Sequence, residues 1–302
     1  MQAPTKQKII AIVGPTASGK TDLAIRLAKK FKGEIISADS RQVYRDLDIG
    51  TAKAKGRWGK NVYISETIPH FCIDFVPPKR IYTVTDFKIC ATQAVTDIAS
   101  RNRYAFVVGG TGLWVDALAY GIEVPDVAPN LGLRKKLEKK STDQLFAMLQ
   151  KLDPRRASSI ERYNPRRLIR AIEVAKILGS VPDLIKTNPY DVLWIGLSPK
   201  PEILHKKITL RSSSMIKQGL IRETKKLLAK GVSKKRIREF GFEYAVALDC
   251  IEKKITRAQL PAILSKETIA YAKRQMRWFK RNADIHWVKN NTEAKKLVMK
   301  FI

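Results

Sequence analysis

Short apolar runs alternate with helical patterns along the first third of the chain, and glycine-rich turns separate them. Residues 8–13 and 34–37 are β-branched runs that predict buried strands, and residues 105–108 predict a third. Between residues 21 and 32 apolar side chains recur every four positions, which predicts a helix that Gly33 would end. This alternation predicts an α/β fold with an open parallel sheet.

The pattern changes after Gly121, where the strand signals stop. Residues 124–130 are rich in proline, and the next fifty or so residues contain helical patterns alone. The clearest of these helices has Asn164 at its N-cap, Pro165 at its first position and Gly179 at its end. This part of the chain therefore predicts a separate helical unit.

Strand signals return at residues 191–197, which predict a strand that rejoins the first sheet. The C-terminal third is mostly helical and ends in a short predicted strand near residues 285–288. We therefore predict an α/β core formed by residues 1–121 and 189–302. A helical insertion domain, residues 122–188, interrupts that core.

The chain is strongly basic for its length. It has 302 residues with 58 Lys and Arg against 28 Asp and Glu, which gives a formal net charge of +30. Such a balance indicates a polyanionic partner, either a nucleic acid or an anionic membrane surface, or else a charged surface that only confers solubility. Because the N-terminal apolar run is too short for a signal peptide or a membrane span, we expect no membrane partner.

The cysteines and histidines are scattered, and no CxxC pair occurs. Structural zinc sites and disulfide frameworks need such residues at close, regular spacing. The sequence therefore predicts neither, and free thiols indicate a reducing compartment, most simply the cytoplasm. The three cysteines are Cys72, Cys90 and Cys250.

One segment between the first predicted strand and the first helix has the pattern GxxxxGK[ST]. In such a loop, backbone N–H groups and the helix N-terminus bind phosphate oxygens. Lys20 adds a full positive charge, and the Thr21 hydroxyl is placed to bind Mg²⁺. The motif predicts a P-loop NTPase-like core, and the loop consists of Gly14, Pro15, Thr16, Ala17, Ser18, Gly19, Lys20 and Thr21.

A phosphate loop alone leaves the reaction open. Enzymes that use nucleoside triphosphates usually carry a carboxylate at the tip of another strand. Here residues 105–108 run into Gly-Gly-Thr-Gly without a carboxylate, which favours another diphosphate ligand. Asp39 follows the second strand, where it suits a general base, or alternatively a helix cap or a magnesium ligand.

Several longer motifs resemble the tRNA dimethylallyltransferases, also called tRNA isopentenyltransferases. The matching stretches occur in order along almost the whole chain, and they read GPTASGKT, ADSRQVY, DIGTAK, HFCIDFVPP, YTVTDF, VVGGTGLWVDAL, NPRRLIRAIEV and YAKRQMRWFK. The resemblance implies transfer of a prenyl group from dimethylallyl diphosphate to the exocyclic amine of the adenosine 3′ of the tRNA anticodon. The adenine amine is a weak nucleophile, so a base that removes its proton would assist the reaction.

The resemblance also implies roles for individual residues. Asp39 matches the general base, Thr111 a threonine near the reacting amine, and Arg211 an arginine that contacts the diphosphate. Mg²⁺ on Thr21 would be the cofactor. Without the resemblance, Arg211 and Thr111 would be an ordinary surface arginine and a turn residue.

Ser40 and Gln42, with Arg134, Arg166, Arg167 and Arg170 of the insertion, match positions that contact tRNA in this family. The C-terminal helix is predicted to contact RNA because its basic residues alternate with aromatic ones. We expect the enzyme to act as a monomer on the anticodon stem-loop. The basic C-terminal helix also allows a plainer interpretation, a solvated face with Trp278 and Phe279 in the core. The predicted contacts are Asp39, Ser40, Arg41, Gln42, Arg134, Arg166, Arg167, Arg170, Arg238, Lys273, Arg274 and Arg277.

Two departures from the family pattern lie in segments predicted to face tRNA. The chain reads Gly241-Phe242-Glu243-Tyr244 where G-Y-[RK]-Q is common, and Arg277 replaces a small hydroxyl residue. No Cys/His extension follows, which favours the bacterial type of enzyme.

Two rival functions are a phosphate-loop kinase acting on a small molecule and a non-catalytic RNA-binding protein. The first leaves the positive charge unexplained, and the second leaves the phosphate loop unexplained.

Overall fold

The computed structural model describes residues 6–302, which form a mixed α/β protein. The strands are β1 (Gln7–Val13), β2 (Gly33–Ser37), β3 (Arg57–Trp58), β4 (Tyr63–Ser65), β5 (Ile68–Phe71), β6 (Tyr104–Gly109), β7 (Tyr190–Leu197) and β8 (His286–Val288). The helices are α1 (Lys20–Lys30), α2 (Val84–Ser100), α3 (Gly112–Ala119), α4 (Leu131–Leu137), α5 (Thr142–Leu152), α6 (Pro154–Ser159), α7 (Pro165–Leu178), α8 (Pro201–Gln218), α9 (Leu220–Ala229), α10 (Lys234–Glu239), α11 (Phe242–Ile251), α12 (Leu260–Phe279) and α13 (Asn291–Phe301).

All eight strands belong to one sheet, in the order β3-β4-β5-β2-β6-β1-β7-β8. In this spatial order, all neighbouring pairs from β5 through β2, β6, β1 and β7 to β8 are parallel. The pairs β3-β4 and β4-β5 are antiparallel and form one edge of the sheet. Val13 lies opposite both Gly109 and Gly196, and Ser37 lies opposite Val108. The carboxyl ends of β1, β2, β6 and β7 therefore meet at the same edge of the sheet.

The five predicted strands are confirmed, with small shifts at their ends. The antiparallel edge was missed because β3 has only two residues, both exposed, and β4 and β5 are also short. Such segments bury too little apolar surface to produce a strand pattern in the sequence.

The sheet is covered on both faces, which explains why its central strands are continuous apolar runs. Ile9 and Ala11 of β1 join one buried cluster with residues of α2, α3 and the helices α9 to α12. Ile10 and Ile12, which point the other way, join a second cluster with α1 and α13. Strand alternation thus divides one apolar run between two cores.

Gly33 does not end the first helix, so that prediction was wrong. Helix α1 stops at Lys30, and Lys32, with φ of 50°, takes the left-handed conformation that follows it. Gly33 instead opens β2, where a Cβ atom would lie 2.2 Å from the Phe106 ring. The glycine serves close packing between neighbouring strands rather than a helix cap.

The insertion forms its own compact unit, Ile122–Thr187, whereas Asn188 belongs to the core. Its apolar centre is built from α4 to α7 and includes Leu145, Leu149 and Leu168. The N-cap of α7 is as predicted, because the Asn164 side chain accepts a hydrogen bond from the Arg167 backbone N–H at 3.3 Å.

Cys72 and Cys90 form a disulfide, which contradicts the prediction of three free thiols. Cys72 follows β5 and Cys90 lies in α2, and their Cα atoms are 6.3 Å apart. Folding brings the loop and the helix together across a separation of 18 residues that carries no motif. Cysteine usage therefore no longer supports a reducing compartment.

Within residues 6–302, no helix has the length and apolarity needed to cross a bilayer.

Replacing Gly33 with Ala tests the close approach of β2 and β6. We expect Gly33→Ala to lower the free energy of unfolding by about 1–3 kcal/mol, because the new methyl group must displace the buried Phe106 ring. The measurement is chemical denaturation followed by circular dichroism. Gly132→Ala is the control, since its Cβ meets only Asn130 Oδ1 at 3.5 Å. Equal stability of Gly33→Ala and the unchanged protein would contradict this packing.

Candidate active site

A cavity of about 110 Å³ opens at the edge of the sheet where β1, β2 and β6 end. Three loops from those strands meet there, together with side chains from α8 and α12. Its walls are mostly polar and include the phosphate loop and Asp39. The lining residues are Thr16, Ala17, Gly19, Lys20, Thr21, Asp22, Asp39, Gln42, Thr51, Ala52, Val108, Gly109, Gly110, Arg211, Tyr271 and Gln275.

The phosphate loop has the backbone conformation that its glycines predict. Gly14 and Gly19 have φ of 141° and 93°, values that side chains other than glycine rarely allow. A Cβ atom on Gly14 would also lie 2.5 Å from the Leu197 carbonyl oxygen at the end of β7. The loop therefore starts in close contact with the end of β7, and helix α1 begins at Lys20.

Lys20 lines the cavity, and its surroundings change the pKa of its ammonium group. Its Nζ donates a hydrogen bond to the Pro15 carbonyl oxygen at 2.6 Å, within the loop itself. Burial, with help from the nearby positive charge of Arg211, lowers the pKa of Lys20 to about 7, and Asp39 acts in the opposite direction. A bound polyanion would favour the protonated form, so Lys20 is suited to a phosphate ligand.

Arg211 reaches the same loop from α8. Its Nη1 donates to Thr16 Oγ1 at 3.0 Å, and burial lowers the pKa of its guanidinium. On the other side, Thr16 N–H donates to Gln275 Oε1 at 2.8 Å, and Gln275 Nε2 donates to the Gly110 carbonyl at 2.9 Å. The loop is therefore held between two C-terminal helices.

Gln275 and Tyr271 are site residues that sequence reasoning missed. Both lie in the motif YAKRQMRWFK, four positions apart and on the helix face opposite the basic residues that drew attention. A Cβ atom on Gly110 would lie 2.1 Å from Gln275 Nε2, so the Gly-Gly turn and this glutamine fit together. The i, i+4 spacing of two polar residues on an inward face was the available signal.

Asp39 caps a turn rather than a helix. Its Oδ1 accepts hydrogen bonds from the backbone N–H groups of Arg41 at 2.9 Å and Gln42 at 3.3 Å. Among residues 6–302 its second carboxylate oxygen has no hydrogen-bond partner. One oxygen therefore fixes the loop while the other remains available to a ligand in the cavity.

Thr111 and Ser40, which follow different strands, are brought together by the fold. The Ser40 backbone N–H donates to Thr111 Oγ1 at 3.1 Å, and that hydroxyl donates to Ser40 Oγ at 3.3 Å. Gly109 allows this contact, since a Cβ atom there would lie 2.1 Å from the Ala38 carbonyl oxygen. The loops after β2 and β6 therefore form one continuous wall beside Asp39.

Gln42 and Arg41 make contacts within the protein. Gln42 lines the cavity, and its Nε2 donates to the carbonyl oxygens of Thr51 at 3.1 Å and Ala52 at 3.4 Å. Arg41 turns towards the C-terminal helices, where its guanidinium donates to the Phe240 carbonyl oxygen. The Arg41 side chain is thus bound by the protein and only partly exposed to solvent.

The basic residues predicted on the C-terminal helices have different surroundings. Lys273, Arg274 and Arg277 are exposed on α12, and Arg274 lies over the Tyr271 ring. Arg238 pairs with Asp249 at 2.7 Å and with Glu252 at 3.1 Å. The residues on α12 therefore offer charge to a partner, whereas Arg238 is neutralised locally.

The two aromatic residues of the same helix also differ. Phe279 is buried, as the plainer interpretation expected. Trp278 is only partly buried, and its Nε1 donates to Asp116 Oδ2 at 2.8 Å. Neither ring is presented as an open stacking surface for a base.

Within the insertion, the predicted arginines fall into two pairs. Arg166 and Arg167 are exposed at the start of α7. Arg134 makes two hydrogen bonds to the buried Glu173 carboxylate, at 2.8 and 2.6 Å, and this contact raises the pKa of Arg134. Arg170 donates to the Val127 carbonyl oxygen at 2.8 Å. The second pair therefore stabilises the insertion itself.

The cavity offers oxygen donors that fit Mg²⁺. Mg²⁺ usually binds one or two protein oxygens and completes its shell with water and substrate phosphate. The Thr21 hydroxyl and the unpartnered oxygen of Asp39 line the same cavity. No cluster of three or more His, Cys, Asp or Glu side chains that would form an all-protein metal site occurs among the residues described.

The state of Lys20 predicts how anion binding depends on pH. Above about pH 7 the free protein holds a neutral lysine, so inorganic pyrophosphate must bind together with a proton, and its Kd rises by up to about tenfold per pH unit. Lys20→Arg keeps its charge and should show a shallower dependence in isothermal titration calorimetry between about pH 7 and pH 9. Parallel slopes for the two proteins would show that Lys20 does not titrate in this range.

Comparison with known proteins assigns the chain to a family. The model of the IPP transferases matches residues 42–282, and that of the isopentenyl transferases matches residues 7–61. A tRNA dimethylallyltransferase of Alkaliphilus oremlandii is 38% identical over 291 residues, which cover 93% of this chain and 91% of the relative. One from a Roseiflexus species is 40% identical over 280 residues, 90% of each chain.

Solved structures give the same result. The tRNA isopentenylpyrophosphate transferase of Bacillus halodurans superposes with a TM-score of 0.71 at 35% identity, covering 98% of this chain and 96% of its own. A eukaryotic dimethylallyltransferase acting on tRNA superposes with a TM-score of 0.73 at 25% identity, covering 93% and 73%. The chain therefore belongs to the IPP transferase family, the family of the tRNA dimethylallyltransferases.

Proposed function

We propose that this transferase moves the dimethylallyl group from dimethylallyl diphosphate to N6 of the adenosine immediately 3′ of a tRNA anticodon. The products are N6-isopentenyladenosine in tRNA and diphosphate. The observation that carries the proposal is one cavity lined by both the phosphate loop and Asp39, one of whose carboxylate oxygens has no hydrogen-bond partner among the residues that the structure describes. The names of the relatives supply the substrate class.

The phosphate-binding half of the cavity suits the leaving group. As the allylic C–O bond breaks, negative charge grows on diphosphate, and groups that bind this charge stabilise the transition state. Lys20, Arg211 and the N-terminus of α1 all face the cavity. Mg²⁺ held by Thr21 would, when bound, neutralise further charge on the diphosphate.

The opposite wall suits the nucleophile. In the proposed step the new bond joins N6 to the allylic carbon, the C–O bond to diphosphate breaks, and one N6 proton passes to Asp39. Thr111 and Ser40 lie beside Asp39 and offer hydroxyl groups to orient the adenine. The carboxyl ends of two adjacent strands thus place the base and the orienting groups side by side.

The two rival functions are set aside. A small-molecule kinase would need a carboxylate at the tip of β6, where the chain has Gly109 and Gly110 instead. A non-catalytic RNA-binding protein would not require the phosphate loop, and the relatives are transferases. We propose that the enzyme acts as a monomer on tRNA in the cytoplasm.

Substituting Asp39 tests the proposed base. In an assay with Mg²⁺, radiolabelled dimethylallyl diphosphate and unmodified tRNA, we expect Asp39→Asn to lower kcat by about 10²–10⁴-fold. Asparagine retains an oxygen that can accept the two backbone hydrogen bonds, so the turn should persist. Full activity of the variant would exclude Asp39 as the base, and no label in tRNA with the unchanged protein would exclude the proposed function.

The salt dependence of tRNA binding tests the proposed RNA surface. Each phosphate contact that is lost reduces the slope of log Kd against log salt by about 0.7–0.9. We expect this reduction for Arg277→Gln, whose side chain is exposed, and a smaller one for Arg238→Gln, whose charge is already paired. A binding constant that does not change with salt would instead show that the positive charge does not bind tRNA phosphates and only keeps the protein soluble.

A further inference from the structure

The first turn of α11 carries the segment Gly241-Phe242-Glu243-Tyr244, which departs from the family pattern and has no role in the function proposed above. None of these four residues lines the cavity. Two of their side chains nevertheless reach, each through one other residue, two loops that contribute lining residues to the cavity. These loops are residues 39–42, which follow β2, and residues 48–52.

The first connection runs from Glu243 through Arg41. Arg41 Nη1 lies 3.8 Å from Glu243 Oε2, and the same guanidinium donates to the Phe240 carbonyl oxygen. Gly241 makes room for it, since even a Cβ atom there would overlap the guanidinium. The backbone N–H of Arg41 meanwhile donates to Asp39 Oδ1. One residue therefore joins α11 to the carboxylate of the proposed base.

The second connection runs from Tyr244 through Glu223 of α9. The Tyr244 hydroxyl donates to Glu223 Oε1 at 2.7 Å. The Glu223 carboxylate also accepts from three successive backbone N–H groups of the loop, at 3.1, 2.8 and 3.1 Å. These donors are Asp48, Ile49 and Gly50. The Tyr244 ring packs on Gly50, where a Cβ atom would lie 2.6 Å from Cζ.

The two loops are joined to each other at Gln42. Its side-chain amide donates to the carbonyl oxygens of Thr51 and Ala52, and its backbone N–H donates to Asp39 Oδ1. A displacement of either loop therefore changes the position of Asp39 relative to the phosphate loop. Both connections begin on the same helical turn.

We propose that the first turn of α11 is a positioning element for the reaction, with Glu243 acting through Arg41 and Tyr244 acting through Glu223 to hold Asp39 and Gln42 in place. This inference rests on the proposed function for its kinetic consequences. It assigns Arg41 a role within the protein, where it acts on Asp39 rather than on tRNA phosphate.

The surroundings of Glu243 agree with this role. Its Oε2 is buried and has no hydrogen-bond partner within residues 6–302. Burial raises the pKa of Glu243 to about 7, and Arg41 is the largest opposing influence. The charged groups near Glu243 are Arg41, Asp39 and Arg211. Arg41, 3.8 Å away, is therefore the neighbour that most favours the ionised form of Glu243 against the effect of burial.

The test uses Glu243→Gln and Tyr244→Phe, which preserve side-chain size. In the labelled transfer assay we expect kcat to fall by about 10- to 100-fold in Glu243→Gln and by about 3- to 30-fold in Tyr244→Phe, because small displacements of a reacting group have large effects. KM for dimethylallyl diphosphate should stay within about twofold of the original value, since the phosphate loop is untouched. Matched controls are Glu202→Gln and Tyr104→Phe, whose side chains make no hydrogen bond to any residue from 6 to 302.

A double-mutant cycle separates action through Arg41 from an independent effect. If Glu243 acts through Arg41, combining Glu243→Gln with Arg41→Gln should lower kcat no more than the larger single change. Losses that multiply would overturn the proposal, as would a kcat equal to that of the controls. If Arg41→Gln lowers only the affinity for tRNA, Arg41 contacts tRNA rather than positioning Asp39, and the proposal is overturned.

Amide hydrogen exchange tests positioning without catalysis. We expect faster exchange at residues 41–42 in Glu243→Gln and at residues 48–50 in Tyr244→Phe, with β1 unchanged in both. Unchanged exchange in these loops would overturn the inference even if transfer activity were never observed. Conversely, faster exchange in a protein without transfer activity would support the positioning element and reject the proposed reaction.

Discussion

The parallel pairing of β1, β2 and β6 is the constraint on which the site depends. Their register places Val13 opposite Gly109, and Ser37 opposite Val108, so three loops leave the sheet at one edge. Each loop brings a different chemistry, namely phosphate binding, a carboxylate and a hydroxyl. No single segment of the chain contains the site, because the sheet assembles it.

Much of this arrangement follows from the sequence, because its signals are local. The phosphate loop needs glycine at fixed positions, and the N-cap of α7 needs Asn164 directly before Pro165. The central strands are equally clear because both of their faces are buried. Features such as these depend on the backbone and the nearest neighbours, which sequence patterns describe well.

Features that depend on tertiary contacts could not be predicted in this way. Nothing in the sequence indicates that Cys72 meets Cys90, or that Arg134 is held by Glu173 inside the insertion. Composition treats every arginine alike, whereas the structure divides them into paired and exposed groups. Gln275 was likewise hidden within a motif whose basic residues suggested RNA binding.

The attachment of the insertion has a consequence for the evolution of this fold. The Asn188 backbone N–H donates to the Tyr120 carbonyl oxygen at 3.0 Å. The chain therefore leaves the core and re-enters it at neighbouring points. A segment closed at its base in this way adds loop entropy only as the logarithm of its length. The insertion can therefore lengthen, shorten or change sequence at little thermodynamic cost to the sheet, and its surface can evolve while the site at the sheet edge stays the same.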